Sequence, residues 1–561
     1  MRAYRLAWNT GLAAVLSLVL VTAFGAGVAA ADAPGSLDPS FGVQGISLTS
    51  FGTGVTKAAD MTIQPDGKYI VAGTYESWDA TPTTPAMYAT LARYNVDGSL
   101  DASFGTGGMA QAYLSAVSGA PDWAAAFNVA LLPNSAGIVI SVRTEPWKLQ
   151  VMRFTANGQL DTSFGVNGLL EIGVAPWTVS PVVPKTLLTV QADGKMLVGC
   201  TLTTDRANDM AVFRLNPDGS ADTTYGTGGL AKFDIAGGSD DRLLSMQLVA
   251  GGDLLLGGQV QSTEAVLLRL TPSGQLDSTF GTGGLVVEAG KRAVAGIALM
   301  PDGSYLTLDG SPNMQMGLRH YGADGTADTA FGIGGWANAI DPYNCYPFVL
   351  THVVGQADGS ILIAGTKDGG FPTYKDVWVS RFTAGGIQDT GFGVNGEAIT
   401  DLGGADDCAA AAMGPDGKLV VAGYALPVAG RAAVVAGTPA ARATAVARQG
   451  LVRYTLGASP LLRGPQTFAY SKATVKKGHG KPATFRFRVN ALTSKATVVI
   501  KIFKGTKLKK TVALGSVLTN KSILCRWTVT VPKGKYVWKV YAVDQKHRKQ
   551  ISIGWNTLTV K

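Results

Sequence analysis

Short apolar runs separated by glycine-containing turns cover the chain from about residue 36 to residue 457. The runs YIVAG from Tyr69 and LVVAG from Leu419 each follow a Pro-Asp-Gly turn, and a further apolar run precedes each turn. Two apolar runs joined by a tight Asp-Gly turn are typical of a β-hairpin. The pattern therefore predicts an all-β fold built from short strands.

A second segment alternates with the hairpins and occurs seven times. Its copies are LDPSFGVQG from Leu37, LDASFGTGG from Leu100, LDTSFGVNG from Leu160, ADTTYGTGG from Ala221, LDSTFGTGG from Leu276, ADTAFGIGG from Ala327 and QDTGFGVNG from Gln388. A third apolar strand precedes each copy after the first, and we assign the Phe-Gly segment itself to a fourth strand. Four short strands in each unit are typical of a β-propeller blade, whereas a linear β-solenoid would need shorter coils without hairpins.

The two ends of the repeat region predict how the ring closes. The region begins with a lone fourth strand near Leu37 and ends with a lone third strand in GLVRYTLG, residues 450–457. These strands can pair, which would complete the last blade and remove two exposed sheet edges. We therefore expect residues 36–457 to form a seven-bladed β-propeller whose N-terminal strand closes the last blade.

The repeated motifs also resemble a known family. RYNVDGSLDASFGTGG from Arg93 and QPDGKYIVAG from Gln64 resemble the delta-60 repeat of secreted and surface proteins of bacteria, and they are distantly similar to NHL-type propeller repeats. The resemblance covers residues 36–457 and implies a propeller. It carries no catalytic signature that can be transferred to this chain.

The repeated charged and aromatic residues suggest a structural role. Every copy has an aspartate, and six of the seven third strands carry an arginine in register, whereas Arg319 is one position out of register beside His320. We expect each aspartate to accept turn N–H bonds or to pair with arginine. Rings such as Phe164 should pack between blades rather than stack on sugars. The repeated aspartates are Asp38, Asp101, Asp161, Asp222, Asp277, Asp328 and Asp389.

A calcium loop is the alternative interpretation of the turn before each Phe-Gly segment. NPDGSAD, residues 216–222, has oxygen-bearing residues at alternate positions, as calcium loops do. These positions drift to glycine and threonine in other copies, which favours a turn over a ligand cage. We therefore predict no metal site and no cofactor.

The other face of the predicted ring has variable loops, where binding sites are usually placed. A ligand, for example a glycan, could stack on the aromatic residues of these loops, although these residues could equally cover strand ends. The candidates are Trp78, Trp123, Trp147, Trp177, Tyr343, Tyr346 and Tyr374. Cys345 and Cys408 lie in consecutive loops on this face and are candidates for a disulfide, whereas Cys200 and Cys525 suit buried apolar positions.

The two ends of the chain lie outside the repeats. Residues 1–31 have a basic start, an apolar run and an Ala-rich end, which predicts a cleaved secretory signal peptide, with a retained anchor as the alternative. We find no later run long enough to span a bilayer. Residues 463–561 alternate apolar with basic or polar positions and weakly resemble a bacterial immunoglobulin-like β-sandwich.

Charge divides between the same two parts. Residues 461–561 contain 22 Lys and Arg and one acid, Asp544, whereas residues 1–460 contain 26 Lys and Arg and 38 acids. A net charge of about +21 suits anionic partners such as cell-envelope polymers, acidic glycans or lipid head groups. No nucleic-acid partner is expected in an exported protein, and the oligomeric state is open.

Histidine scarcity limits catalytic interpretations. The repeat region contains only two histidines, His320 and His352, and shows no Ser-His-Asp or metal-ligand pattern. We therefore expect an exported, non-enzymatic binding or scaffold protein of the bacterial cell envelope. The alternative is an extracellular propeller hydrolase or lyase with a site in the central channel.

Overall fold

The protein is described here from a computed structural model. It describes residues 33–77, 86–116, 125–144, 148–180, 186–203, 207–235, 237–238, 240–261, 263–288, 290, 293–310, 316–338, 352–368, 375–426, 447–457, 466–469, 473–475, 482–490, 495–518, 522–545, 549 and 555–561.

Between residues 46 and 454 the described strands form seven sheets, each antiparallel throughout. Sheets one to six follow chain order, and β1 belongs to sheet seven. The strands are β1 (Ile46–Thr49); sheet one, β2 (Val55–Ile63), β3 (Tyr69–Ser77), β4 (Ala86–Tyr94) and β5 (Met109–Ala116); sheet two, β6 (Ala125–Leu131), β7 (Gly137–Thr144), β8 (Lys148–Thr155) and β9 (Leu169–Ile172); sheet three, β10 (Thr178–Val179), β11 (Leu187–Val190), β12 (Met196–Thr203), β13 (Asn208–Leu215) and β14 (Leu230–Phe233); sheet four, β15 (Asp241–Leu248), β16 (Leu254–Val260), β17 (Glu264–Leu270) and β18 (Leu285–Glu288); sheet five, β19 (Ala293–Leu299), β20 (Tyr305–Gly310), β21 (Met316–Tyr321) and β22 (Ala337–Asn338); sheet six, β23 (His352–Gly355), β24 (Ile361–Asp368), β25 (Lys375–Phe382) and β26 (Glu397–Thr400); and sheet seven, β27 (Ala405–Met413), β28 (Leu419–Leu426) and β29 (Arg448–Tyr454).

The middle strands of these sheets are buried on both faces, which explains their continuous apolar sequences. Every residue of β3 and of β7 is buried. The larger apolar clusters of this region lie between neighbouring sheets; for example, Ile70 and Leu91 of sheet one pack with Ile140 of sheet two. One strand near the start of each sheet contacts its counterpart in the next sheet, in a cycle that runs β2, β6, β11, β15, β19, β23, β27 and back to β2.

The seventh sheet joins the two ends of the repeat region. β1 pairs antiparallel with β29, with Ile46 opposite Val452 and Thr49 opposite Gln449. Before β1, Gly35 N donates to Thr455 O at 2.7 Å, and Leu37 forms an isolated bridge with Tyr454. Strand pairing thus holds residues more than 400 positions apart in sequence in one sheet.

Two local expectations need correction. The Phe-Gly segment is a turn that precedes the fourth strand and is not part of it, since Phe104 and Gly105 lie before β5. The N-terminal strand begins at Ile46 rather than near Leu37. In both cases positive-φ glycines such as Gly42 and Gly45 interrupt regular pairing, because their backbone conformation does not continue a strand.

The C-terminal residues form two further sheets around one buried cluster. The first has the order β30 (Gln466–Ala469), β32 (Ala483–Asn490), β35 (Ser522–Trp527). The second has the order β31 (Ala473–Val475), β37 (Trp555–Val560), β36 (Gly534–Asp544), β33 (Lys495–Lys504), β34 (Lys507–Leu518). Phe485 and Phe487 of the first sheet share their cluster with Ile500 and Trp538 of the second.

Candidate functional site

Six of the seven repeats place an arginine, an aspartate and an aromatic ring in one contact unit, which we call the clamp. In sheet one, Arg93 Nε lies 2.7 Å from Asp101 Oδ2, and the guanidinium carbon lies 4.6 Å from the centre of the Phe104 ring. Arg93 Nη1 also donates to Ala156 O in sheet two at 2.9 Å. Each clamp therefore links a sheet to its neighbour. The other pairs are Arg153–Asp161, Arg214–Asp222, Arg269–Asp277, Arg381–Asp389 and Arg453–Asp38.

Hydrogen bonds and charge keep Asp101, the aspartate of the first clamp, ionised. Burial opposes ionisation of Asp101, but hydrogen bonds from Lys68 and Ser103 and the charge of Arg93 hold the pKa of its carboxyl far below the usual value. Asp101 Oδ1 accepts from Ser103 N and from Ser103 Oγ, which is the geometry of an Asx turn. The carboxylate is fully used by turn and arginine contacts, so it suits a structural role rather than a ligand role.

The fifth sheet departs from this pattern. His320 takes the arginine position: its Nδ1 lies 3.2 Å from Asp328 Oδ2, and its Nε2 lies 2.7 Å from Ser304 Oγ. Arg319 instead pairs with Glu288 of sheet four, with Nη1 2.7 Å from Oε2. A one-residue shift along a strand moves a side chain to the opposite face, which explains the different partners.

One predicted stacking residue lies in the described part of the chain. Trp177 is half-buried against the apolar cluster of sheets two and three, and Lys232 Nζ lies 5.4 Å from the centre of its ring. Lys232 Nζ also lies 2.5 Å from Asp209 Oδ2. Outside the described residues lie Trp78, Trp123, Trp147, Tyr343, Tyr346 and Tyr374, so their role in binding stays a prediction.

The proposed disulfide is also untested. Cys408 lies on β27 and not in a loop as the sequence suggests; it is buried there, and burial raises the pKa of its thiol to about 12. Cys345 lies outside the described residues, so its pairing with Cys408 stays a prediction. Cys200 and Cys525 are buried in apolar clusters, in the way their surrounding sequence suggests.

Three aspartates meet on the variable-loop side where sheet six adjoins sheet seven; we call them the seam cluster. Asp376 lies on β25, Asp401 follows β26, and Asp406 lies on β27. One carboxylate oxygen from each lies within 4.8 Å of the others. The acids come from two sheets, so the cluster depends on how the sheets adjoin.

A second cluster with the same arrangement lies where sheet three adjoins sheet four. Asp209 lies on β13, Asp234 follows β14, and Asp241 begins β15, again with oxygens within 4.8 Å. Asp234 and Asp401 each stand nine residues after the ring residue of their own repeat. In both clusters the third aspartate accepts from the backbone N–H that follows the second: Asp241 Oδ2 from Ile235 N, and Asp406 Oδ2 from Leu402 N. We call this second set the lysine cluster, because Lys232 pairs with Asp209.

Asp406 is the least accessible acid of the seam cluster. Its relative exposure is 0%, and Oδ1 has no hydrogen-bond partner. Burial, together with the nearby charges of Asp401 and Asp376, outweighs the hydrogen bonds from Leu402 and Gly404 and raises the pKa of Asp406 to about 7. A positive charge in the cluster would favour the ionised form.

A groove of about 1080 Å³ adjoins the seam cluster. It lies between the outer strands β1 and β26 and is lined mainly by apolar residues, including Val43, Ile46 and Ile399. Asp401 and Arg448 also line it, so the groove and the seam cluster share a carboxylate. These features place apolar surface and charge side by side where the two ends of the repeat region meet.

Sequence reasoning missed both acid clusters. Their signal is an aspartate nine residues after the ring combined with an aspartate five residues before the clamp arginine, in only two repeats. A search for positions that all seven copies share does not find this signal, because only the repeats containing Tyr225 and Phe392 have both aspartates.

Comparison with known families supports the propeller fold. A family model described as "Domain of unknown function (DUF5122) beta-propeller" matches residues 64–104, 145–164, 191–225 and 248–280. None of the curated proteins compared with the sequence matches it. With the sheet topology, this identifies an all-β protein with a β-propeller fold.

Solved structures share only general similarity with the chain. The polysaccharide lyase Uly1 is 11% identical, with 74% of this chain and 93% of that chain covered and a TM-score of 0.41. AofleA from Arthrobotrys oligospora is 11% identical, with 65% and 96% covered and a TM-score of 0.32. The PQQ-bound aldose sugar dehydrogenase from Streptomyces coelicolor is 13% identical, with 73% and 98% covered and a TM-score of 0.31. Scores of this size carry no argument about activity.

Among the described residues, no helix has the length and hydrophobicity needed to cross a membrane.

Proposed function

We propose that this chain is an exported, non-enzymatic binding and scaffold protein of the bacterial cell envelope. Residues 36–457 form a seven-bladed propeller closed by the N-terminal strand, and this ring binds a ligand, with glycans as the favoured class. Residues 463–561 form a basic immunoglobulin-like sandwich that attaches to anionic polymers.

The sheet contacts support the closed seven-bladed ring. Arg453 of sheet seven donates to Val96 O of sheet one at 2.6 Å, and Arg381 of sheet six donates to Leu456 O of sheet seven. Clamp contacts therefore continue across the junction of the two ends of the repeat region. A ring held in this way presents its variable loops on a rigid support, which suits binding.

The distribution of lysine carries the proposal for the C-terminal part. β34 is an edge strand of its sheet, and Lys507, Lys509 and Lys510 on it are exposed. The only acid in residues 461–561 is Asp544. An exposed basic strand with so few acids in its own domain attracts anionic polymers through a long-range field. Lysine on an edge strand also discourages pairing with other chains, so the test must separate the two effects.

Binding to immobilised poly(glycerol phosphate) tests the anchoring role. We expect the full chain to bind, and binding to weaken steeply as salt rises from 50 to 500 mM, because salt screens exposed charges. Changing Lys507, Lys509 and Lys510 together to glutamate should weaken binding at least about tenfold. Neutral dextran is the control polymer, and sedimentation of each variant reports self-association separately.

Two results would oppose the anchoring role. An affinity for the polymer that does not change with salt concentration would show that electrostatic attraction does not hold the chain on the polymer. A chain ending at residue 457 that binds as well as the full chain would move the polymer site out of the basic domain.

The ligand role of the propeller needs a separate measurement. Lys232 lies over one face of the Trp177 ring, and apolar neighbours half-bury the ring, so any stacking uses the part that remains exposed. We expect glycan-array binding of the full chain to fall on Trp177→Ala with no change in the melting temperature above about 3 °C. If the folded protein binds no glycan on the array, glycans are not the ligand of the propeller.

A further inference from the structure

We propose that the seam cluster, formed by Asp376, Asp401 and Asp406, binds one calcium ion between sheets six and seven. This site goes beyond the proposed envelope function and does not depend on it. It also departs from the expectation of no metal site in this chain.

The seam cluster offers the ligand type and the spacing that calcium uses. Calcium takes oxygen ligands at about 2.3–2.6 Å, so oxygens on opposite sides of the ion lie about 5 Å apart. The oxygens of Asp376, Asp401 and Asp406 lie within 4.8 Å of one another. The three side chains can therefore contact one calcium ion without large movements of the strands, and waters can complete its shell.

The buried carboxylate of Asp406 points independently to a ligand. Asp406 has 0% exposure, and while Oδ2 accepts from Leu402 N, Oδ1 has no partner. A buried carboxylate oxygen without a partner is costly, because the protein interior does not replace its hydration. A cation held by Asp401 and Asp376 would supply that missing partner.

In the lysine cluster, which has the same arrangement of aspartates, a lysine side chain supplies a positive charge. There, Lys232 of β14 places its ammonium 2.5 Å from Asp209. Asp209 is equivalent to Asp376, and the strand pairing sets Lys232 opposite Ala211 as it sets Ile399 opposite Trp378. Ile399 is therefore the equivalent of Lys232. One cluster has a built-in cation at this position, and the seam cluster has an uncharged side chain that is 53% exposed.

A calcium ion at the seam would link the sixth sheet to the sheet that joins the two ends of the repeat region. Asp376 and Asp401 belong to the sixth sheet, whereas Asp406 is on the first strand of the seventh. Any ligand that binds only the folded state stabilises it by mass action. Calcium should therefore raise the melting temperature of the full chain.

Calcium titration of the EDTA-treated full chain by calorimetry tests the site. We expect one calcium per chain and a rise in the melting temperature. Asp401→Asn should weaken binding at least about tenfold with little effect on the calcium-free protein, because Asp401 is exposed. Asp234→Asn, the matched change in the lysine cluster, should leave the calcium affinity within twofold of wild type. No calcium binding by the wild-type chain, or equal affinity in Asp401→Asn, would overturn the proposal.

A reciprocal exchange of the residues at positions 399 and 232 tests whether the side chain at this position decides calcium binding. Ile399→Lys should abolish calcium binding, because the new ammonium takes the place of the ion. Lys232→Ile should create a second calcium site in the lysine cluster and raise the stoichiometry from one to two. Unchanged binding in Ile399→Lys, with a cooperative unfolding transition that shows the variant is folded, would overturn the assignment to the seam cluster.

Discussion

Single residues in this chain act through pairs that cross between sheets. The clamp arginines bind an aspartate of their own repeat and a carbonyl of the next sheet, as Arg93 does with Asp101 and Ala156. Both Arg93 and Asp101 are buried. Removing one member of such a pair leaves a buried charge without its partner, which is usually more harmful than the loss of an exposed pair.

We expect Arg93→Leu to lower the free energy of unfolding by about 3 kcal/mol, because buried Asp101 would keep only Lys68 as a charged partner and the bond to Ala156 O would be lost. Lys148→Ala is the matched control, since the side chains of its pair with Glu171 are 41% and 51% exposed; this change should cost less than about 1 kcal/mol. Urea unfolding of both variants measures the difference. Equal losses would show that burial does not decide the strength of these pairs.

Asp38 should make stability depend on pH. Burial opposes its ionisation, but hydrogen bonds from Lys418 and Ser40 and the charge of Arg453 lower the pKa of Asp38 to about 2. This value is below that of an unfolded aspartate, so ionised Asp38 stabilises the fold above about pH 4, and the stabilisation is lost as pH falls through about 2.

The change Asp38→Asn removes this titration. We expect the stability difference between wild type and Asp38→Asn to shrink by about 2 kcal/mol between pH 6 and pH 2, measured by urea unfolding at each pH. A difference that stays constant over this range would contradict the assigned pKa.

At the scale of elements, the repeated turns pack onto rings of the neighbouring sheet. Gly98 has φ of 85°, and a Cβ built there would lie 2.9 Å from the Phe41 ring. Gly158 approaches the Phe104 ring in the same way, at 2.7 Å. Glycine is therefore required at this turn position for two reasons, the left-handed backbone and the close approach of the ring.

Gly98→Ala should lower the free energy of unfolding by about 2–4 kcal/mol, through backbone strain and the displaced ring. Gly107→Ala separates the two causes, because Gly107 has φ of 62° and a Cβ there would meet no atom within 4 Å. This control should cost only about 1–2 kcal/mol. Chemical denaturation of both variants provides the measurement, and equal losses would argue that the ring contact does not matter.

At the scale of the whole molecule, the apolar clusters divide the described residues into two groups. One cluster contains only residues between Val475 and Val560, whereas the others draw on residues between Leu37 and Leu456. Separate clusters are what independently folding units require. The sign of the charge changes between the same two parts of the sequence.

We expect the full chain to show two unfolding transitions in calorimetry. A chain that ends at Gly457 should lose one of them and keep the midpoint of the other within about 3 °C, since no apolar cluster of the described residues would be cut. A single transition in the full chain, or loss of folding in the shortened one, would show that the two parts depend on each other.

The sequence by itself determined the β class, the repeat period and the pairing of the two ends of the repeat region. These features rest on local patterns, such as the hairpin turn before Tyr69, and on copy number, and both can be read without coordinates. The family match and the sheet topology confirm the propeller fold at that level. The prediction that the Phe-Gly segment belongs to a strand is wrong. The pattern of apolar and polar residues does not reveal the positive-φ glycines that bend this segment.

Only the tertiary structure decided which side chains share a site. Asp376 and Asp401 are 25 residues apart in the sequence, and Asp406 begins the next sheet, yet strand pairing and the packing of neighbouring sheets bring their oxygens within 4.8 Å. Likewise, Lys232 lies near both Asp209 and Trp177 because β14 pairs with β13 and because Trp177 directly precedes β10 of the same sheet. Such distances arise from how whole sheets pack, and residue spacing along one chain does not encode them directly.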